Sequence, residues 1–254
     1  MSILVKQRLL LAVCLIAVIA TLLAPRIPQD PDYHLFADKT SFLAIPNALN
    51  VLSNLFFVWI GIEGLYRLIG QKRLHILQQI YPAYIVFFAA LIFIAACSSY
   101  YHWSPDNQSL AWDRLPMTVA FMSFMTILLA ERVSLKLAGK LFPLLLIAGI
   151  ASIVYWYYSE LAGRGDLRIY ALVQFLPMLL TPLILIVFQS RYNRSSDIWW
   201  LWICYLAAKL CEIFDHEIYQ WLTLLSGHSL KHIVASMGCL LFLRHLRFRS
   251  LLRE

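Results

Sequence analysis

QQIYPAYIVFFAALIFIAACSSYYH, residues 78–102, runs for 25 residues without an Asp, Glu, Lys or Arg. At about 1.5 Å of rise per residue, a helix of this length crosses the roughly 30 Å of a bilayer's hydrocarbon. Its polar side chains gather at the end, where Ser98 and His102 stand one helical turn apart on one face. Seven further apolar segments flank it, at about 9–24, 44–66, 111–130, 138–159, 168–189, 198–219 and 228–246. Of the 254 residues 61% are hydrophobic and 14% charged, with mean hydropathy +0.71, whereas a soluble domain is about 45–50% apolar and about 25% charged. Open strands cannot satisfy their backbone in lipid. The expected fold is therefore an all-α polytopic membrane bundle, a seven-transmembrane helical core preceded by one extra N-terminal transmembrane helix.

The formal net charge of +7 follows topology and gives no sign of nucleic-acid binding. Lys6 and Arg8, Arg67 with Lys72 and Arg73, Arg132 with Lys136 and Lys140, Arg191 with Arg194, and Arg244, Arg247, Arg249 and Arg253 mark alternate ends of the eight segments, 14 of the 21 basic residues. By the positive-inside rule both termini are cytoplasmic. The opposite loops carry Asp30, Asp32 and Asp38, then Asp106, then Asp215 and Glu217. The organisation expected is a membrane anchor at 1–25, an acidic outer segment at 26–43, a core at 44–246 and a basic cytoplasmic tail at 247–254. The first span lacks a small-x-small cleavage site before Pro25 and reads as an uncleaved anchor. Five scattered cysteines read as packing residues.

An ionisable group inside a bilayer is costly and usually faces the bundle interior. His228 and His232, at i and i+4, share one face at the outer start of the last span, and His102 ends a span that exits outward, so all three fall in the outer half. Three imidazoles leave a zinc ion one open corner for water. Asp113 follows His102 across a short outer turn and is placed as a general base. Ser98, a turn deeper, is placed to support an oxyanion. In the seventh segment Lys209, Glu212 and Asp215 recur at helical spacing as an intramembrane ion-pair ladder, while Lys231 is expected to snorkel outward. His34, His75 and His245 are expected in solvent, and Pro177 and Pro182 should kink the sixth span and open space for acyl chains.

At these residues the chain resembles the alkaline ceramidases, within the CREST superfamily of seven-span membrane hydrolases. Asn50-Val-Leu-Ser-Asn54 is similar to that family's Asn-x-x-Ser-Asn, Ser98 to His102 to its Ser-xxx-His, Asp113-Arg-Leu-Pro-Met117 to its Asp-Glu-Leu-Pro-Met, and His228 to His232 to its last-span pair. The resemblance implies a hydrolase that takes ceramide or a related lipid amide from the bilayer and cuts its amide bond. It implies zinc on His102, His228 and His232, with Asp113 and Ser98 catalytic. A calcium-binding acidic segment precedes the core in the eukaryotic members. Here Asn47 stands where they have Glu, with Asp32 and Asp38 as further candidate oxygen ligands. Arg114 replaces the family's Glu. These departures point to a bacterial relative in an inner membrane, its active site in the outer, periplasmic half. The competing expectation is a receptor or sensor in which zinc only ties helices together.

Overall fold

The computed structural model describes residues 1–252, so Arg253 of the basic tail lies outside the described residues. They fold as α-helices joined by short turns except for the longer connections at 24–47 and 66–80, in the order α1 (Ile3–Leu23), α2 (Ala48–Leu52), α3 (Leu55–Leu65), α4 (Tyr81–Trp103), α5 (Asn107–Arg132), α6 (Leu135–Leu161), α7 (Arg168–Val187), α8 (Ser195–Ile213), α9 (Asp215–Leu222) and α10 (Gly227–Phe248). Among the described residues six helical segments are long and apolar enough to cross a membrane, and the protein is an all-helical polytopic membrane fold. α8 and α10, at 19 and 22 residues, have spanning length but carry the charged and histidine side chains of the centre.

Two segments are interrupted along their course, though the second still runs for 23 residues over Ala48–Gly70. The second is broken: α2 stops at Leu52, Ser53 and Asn54 turn, and α3 then runs into a π-helical turn over Tyr66–Gly70. The seventh ends at Ile213, because Phe214 leaves the helical region at φ −98° and ψ 33° and the chain restarts as α9. Both breaks occur where polar side chains are drawn to α10, and they aim those side chains inward.

Local chemistry explains the main boundaries. Asp106 and Ser109 form a reciprocal capping box at the start of α5, with Ser109 N donating to the Asp106 carboxylate at 2.6 Å and Asp106 N to the Ser109 hydroxyl at 3.0 Å. That box makes the turn from His102 to Asp113 tight. Ser226 caps α10 by accepting from Ser229 N at 3.1 Å. In α7, Pro182 has no N–H to give the Met178 carbonyl, and the indole N–H of Trp202 on α8 donates to it instead at 2.8 Å.

α4 packs between α3 and α5, α5 continues onto α6 and α7, and α10 lies along α8 and α3, while α1 sits at the edge against α7. Phe87, Phe88, Phe124 and Phe242 interlock edge to face in the core at centroid separations of 5.0–5.5 Å. Over the end that carries the histidines a second cluster of Phe36, Tyr101, Leu110, Ile153, Trp156 and Tyr170 closes the bundle. At the other end Arg249, expected in a solvated tail, is buried and ion-paired to Glu131 at 2.7 Å over the Tyr192 ring. His245 is likewise buried, between the Arg194 carbonyl and Arg249. Burial of that pairing outweighs the tail's basic character, since an unpaired buried guanidinium is costly.

Two outcomes follow from this packing. A Cβ added at Gly227 runs into the Cys211 carbonyl oxygen and lies 2.7 Å from Asp215 Cα, so Gly227→Ala is expected to cost about 1–3 kcal/mol, measured as thermal unfolding in detergent. In the α6–α7 loop, Arg168 and Tyr155 donate to Asp166 and hold its carboxyl down at about 2, while Arg168 also donates to the Leu22 and Ala24 carbonyls at the end of α1. A carboxyl with its pKa depressed by folding adds stability fully above about pH 4 and loses it as the pH falls toward about 2. Hydrogen exchange at the C-terminal end of α1 should therefore accelerate across that window, and Asp166→Asn should remove the pH dependence.

Candidate metal centre

His102 arrives from the last turn of α4, His228 and His232 from the first turns of α10. Their ring centroids lie 4.7, 5.0 and 5.1 Å apart, and one nitrogen of each falls within 4.8 Å of the others. Among the described residues this is the group of His, Cys, Asp or Glu side chains gathered closely enough to hold a metal ion. His102 is 0% exposed, and neither of its ring nitrogens has a hydrogen-bond partner. A buried imidazole with both nitrogens orphaned is costly unless a ligand completes it. The three residues therefore fit a metal ion, and all-nitrogen donors suit a borderline cation such as zinc.

Neighbouring side chains orient the ligands. The Ser53 hydroxyl donates to the Asn50 carbonyl at 3.1 Å and lies 2.8 Å from His232 Nδ1. With its own proton spent, that oxygen accepts Nδ1–H and leaves Nε2 as the lone-pair nitrogen. The Asn50 side-chain oxygen accepts from the Ser226 and Ser229 hydroxyls at 3.2 and 2.7 Å, fixing α2 to the start of α10. Asn47 donates its amide to the His102 carbonyl at 2.8 Å. Phe36 lies over the centre, 4.6 Å from the His102 ring and 5.0 Å from that of His228.

A cavity of about 350 Å³ opens beneath. His232, Ser98 and Asp113 line it at one end, and Phe87, Leu91, Phe121, Phe124 and Met178 line the apolar remainder. Asp113 is 7% exposed and stands outside the histidine cluster. Gln174 and Met178 of α7, on either side of Pro177, also face the cavity.

Of the expected ladder in the seventh segment, the pair of Lys209 with Glu212 is present, and Asp215 stands outside it. Lys209 pairs with Glu212, and Lys231 of α10 reaches the same carboxylate at 3.0 Å. Lys231 also lies 2.8 Å from His228 Nε2, so it points inward to the centre and does not snorkel. Low-dielectric pairing with Glu212 outweighs the reach to the surface. Asp215 leaves the ladder because of the break at Phe214. Its carboxylate accepts from His228 N at 2.6 Å and from Ala37 N at 3.0 Å. His34 is drawn out of solvent by Tyr101 and Asn107 at 3.0 and 3.1 Å. Of the entrance residues, Asp32 is exposed, whereas Asp38 is buried, one oxygen accepting from Thr40 N and the other without a partner. Ser53 and Lys231 are the site residues that sequence reasoning passed over. Ser53 lay within Asn50-Val-Leu-Ser-Asn54, and Lys231 was assigned outward by its place between two ligands.

The ceramidase family model matches residues 41–254. No curated protein and no solved structure matches the chain.

Purified protein is expected to retain a divalent metal by elemental analysis, and His102→Ala should release it as completely as His228→Ala or His232→Ala. Ser53→Ala leaves the ligands in place but frees the His232 ring, and should weaken metal affinity about 10–100-fold.

Proposed function

Because the chain belongs to the ceramidase family, we propose that it is a zinc-dependent intramembrane hydrolase that cleaves the amide bond of ceramide or a similar long-chain lipid amide into a sphingoid base and a fatty acid. The observation that carries this reading is the cavity, whose polar end joins a metal-capable histidine to a carboxylate and a hydroxyl while its apolar remainder suits an acyl chain. His102, His228 and His232 hold the ion. Zinc bound there supplies Lewis acidity, which makes water a competent nucleophile near neutral pH.

Asp113 takes the proton from the attacking water as oxygen bonds to the amide carbon. The carbonyl oxygen gains the negative charge, and Ser98 donates a hydrogen bond to it. Asp113 then returns the proton to the nitrogen as the C–N bond breaks, leaving a carboxylic acid and an amine. The apolar walls exclude bulk water and orient the chain so that the amide, at its end, meets the polar groups. The lipid enters from the bilayer, in keeping with a chain this apolar.

A receptor in which the metal only ties helices together accounts less well for Asp113, since a structural zinc site is usually closed by a fourth protein ligand and has no use for a carboxylate beside it. The basic ends of the segments support cytoplasmic termini and a centre in the outer half of the membrane.

Hydrolysis of ceramides of varied chain length by the metal-loaded protein is the direct test. Asp113→Asn should lower kcat by about 10²–10⁴-fold with metal content unchanged, and Ser98→Ala by about 10²–10³-fold. Retained zinc with no cleavage of any lipid amide or ester, and no effect of Asp113→Asn, would favour the receptor. Cysteines introduced at Asp106 and Arg191 should label from opposite sides, and labelling from the same side overturns the orientation.

A further inference from the structure

Arg114 follows Asp113 on α5 and lines the same cavity, yet the hydrolytic scheme gives it nothing to do. It is 5% exposed and forms no ion pair with any described residue, and its buried Nη1 has no hydrogen-bond partner. The guanidinium carbon sits 4.5 Å from the Trp156 ring centroid, 4.7 Å from Tyr170 and 5.4 Å from Tyr33. These rings steady the cation through their faces. A ring face takes no in-plane N–H bond, and Nη1 of the planar fork still lacks an acceptor.

The carboxylates of the cavity are already engaged: Glu212 is held between Lys209 and Lys231, and Asp113 is the base that takes the proton from water. The lining carries three cations, Arg114, Lys209 and Lys231, against two carboxylates, Asp113 and Glu212, an excess of one positive charge in an apolar chamber. A second donor points the same way: the buried hydroxyl of Tyr205, also on the cavity wall, has no partner. A neutral lipid leaves both unsatisfied, whereas an anionic oxygen group answers the charge and the fork together.

We propose that Arg114, assisted by Tyr205, forms a subsite for an anionic oxygen group, and that the preferred substrate is a long-chain lipid amide bearing a carboxylate, phosphate or sulfonate close to the scissile bond. This rests on the amide-hydrolase reading above and narrows its substrate class. The neighbourhood of Arg114 and Asp113 sets the distance, since residues adjacent on one helix and facing one cavity keep the anion within a few bonds of the amide.

The test compares substrates matched in acyl chain, ceramide against ceramide 1-phosphate and N-oleoylethanolamine against N-oleoylglycine, with zinc-loaded enzyme in detergent micelles. The wild type should favour the anionic member of each pair in kcat/KM, and Arg114→Gln should reduce that preference by roughly 30-fold or more, chiefly through KM. Arg114→Lys should recover part of it, because charge returns without the fork. Metal content and thermal unfolding of each variant report whether it is folded. A wild type indifferent to the charge or favouring the neutral lipid overturns the proposal. So does an equal loss on both members in Arg114→Gln, or a variant that only escapes inhibition by free fatty acid, which would assign Arg114 to the product. Equilibrium binding of the same pairs to Asp113→Asn protein, with and without Arg114→Gln, is read independently of turnover. If no amide is cleaved, the hydrolase reading falls by itself, and tighter Arg114-dependent binding of the anionic lipid still upholds the subsite.

Discussion

The carboxylate of Asp215 ties together three parts of the chain: the α8–α9 junction, the start of α10 and the segment around Ala37. One oxygen accepts from His228 N at the start of α10 and the other from Ala37 N in the segment between α1 and α2, while its own position follows from the break at Phe214 between α8 and α9. Through His228 N it sets where the metal-capable face of α10 begins. Through Ala37 it brings Phe36 down over the His102 and His228 rings. A charged acceptor satisfying two backbone donors in an apolar surrounding is strong because water does not compete. The close approach of Gly227 to Cys211 and Asp215 is the steric counterpart of that bond.

Around this point the polar groups pair almost completely, and the exceptions carry the chemistry. Asn50 takes two serine hydroxyls from the start of α10, Ser53 orients His232, and Glu212 holds two lysines. The centre and the cavity nevertheless keep buried polar atoms without partners, among them both nitrogens of His102, Nη1 of Arg114 and the hydroxyl of Tyr205. Orphaned donors and acceptors gathered around one cavity mark where a ligand belongs.

Much of the fold and the centre was legible in the sequence. The apolar segments, their order and the stacking of His228 with His232 follow from helix length and period, and the short turn after His102 follows from the spacing of His102 and Asp113. The misread residues share one cause. Lys231, Asp215, His34 and His245 were placed by position along a single helix or loop, but their partners come from elsewhere in the chain: Glu212 for Lys231, Ala37 for Asp215, Tyr101 for His34 and Arg194 for His245. Pairing across 19 to 178 residues leaves no periodic trace.

The sequence by itself determined that this chain is an apolar helical bundle and that three histidines fall near one depth, because hydrophobic length and the 3.6-residue period act locally. It also determined membership in the ceramidase family through motifs linked in order. Tertiary structure decided that the second and seventh segments break, that Ser53 orients a ligand, that Lys231 faces the centre, and that Arg114 sits caged and unpaired beside Asp113. These features depend on which buried donors and acceptors meet across helices, a constraint set by three-dimensional packing in a low dielectric and not by any stretch of sequence.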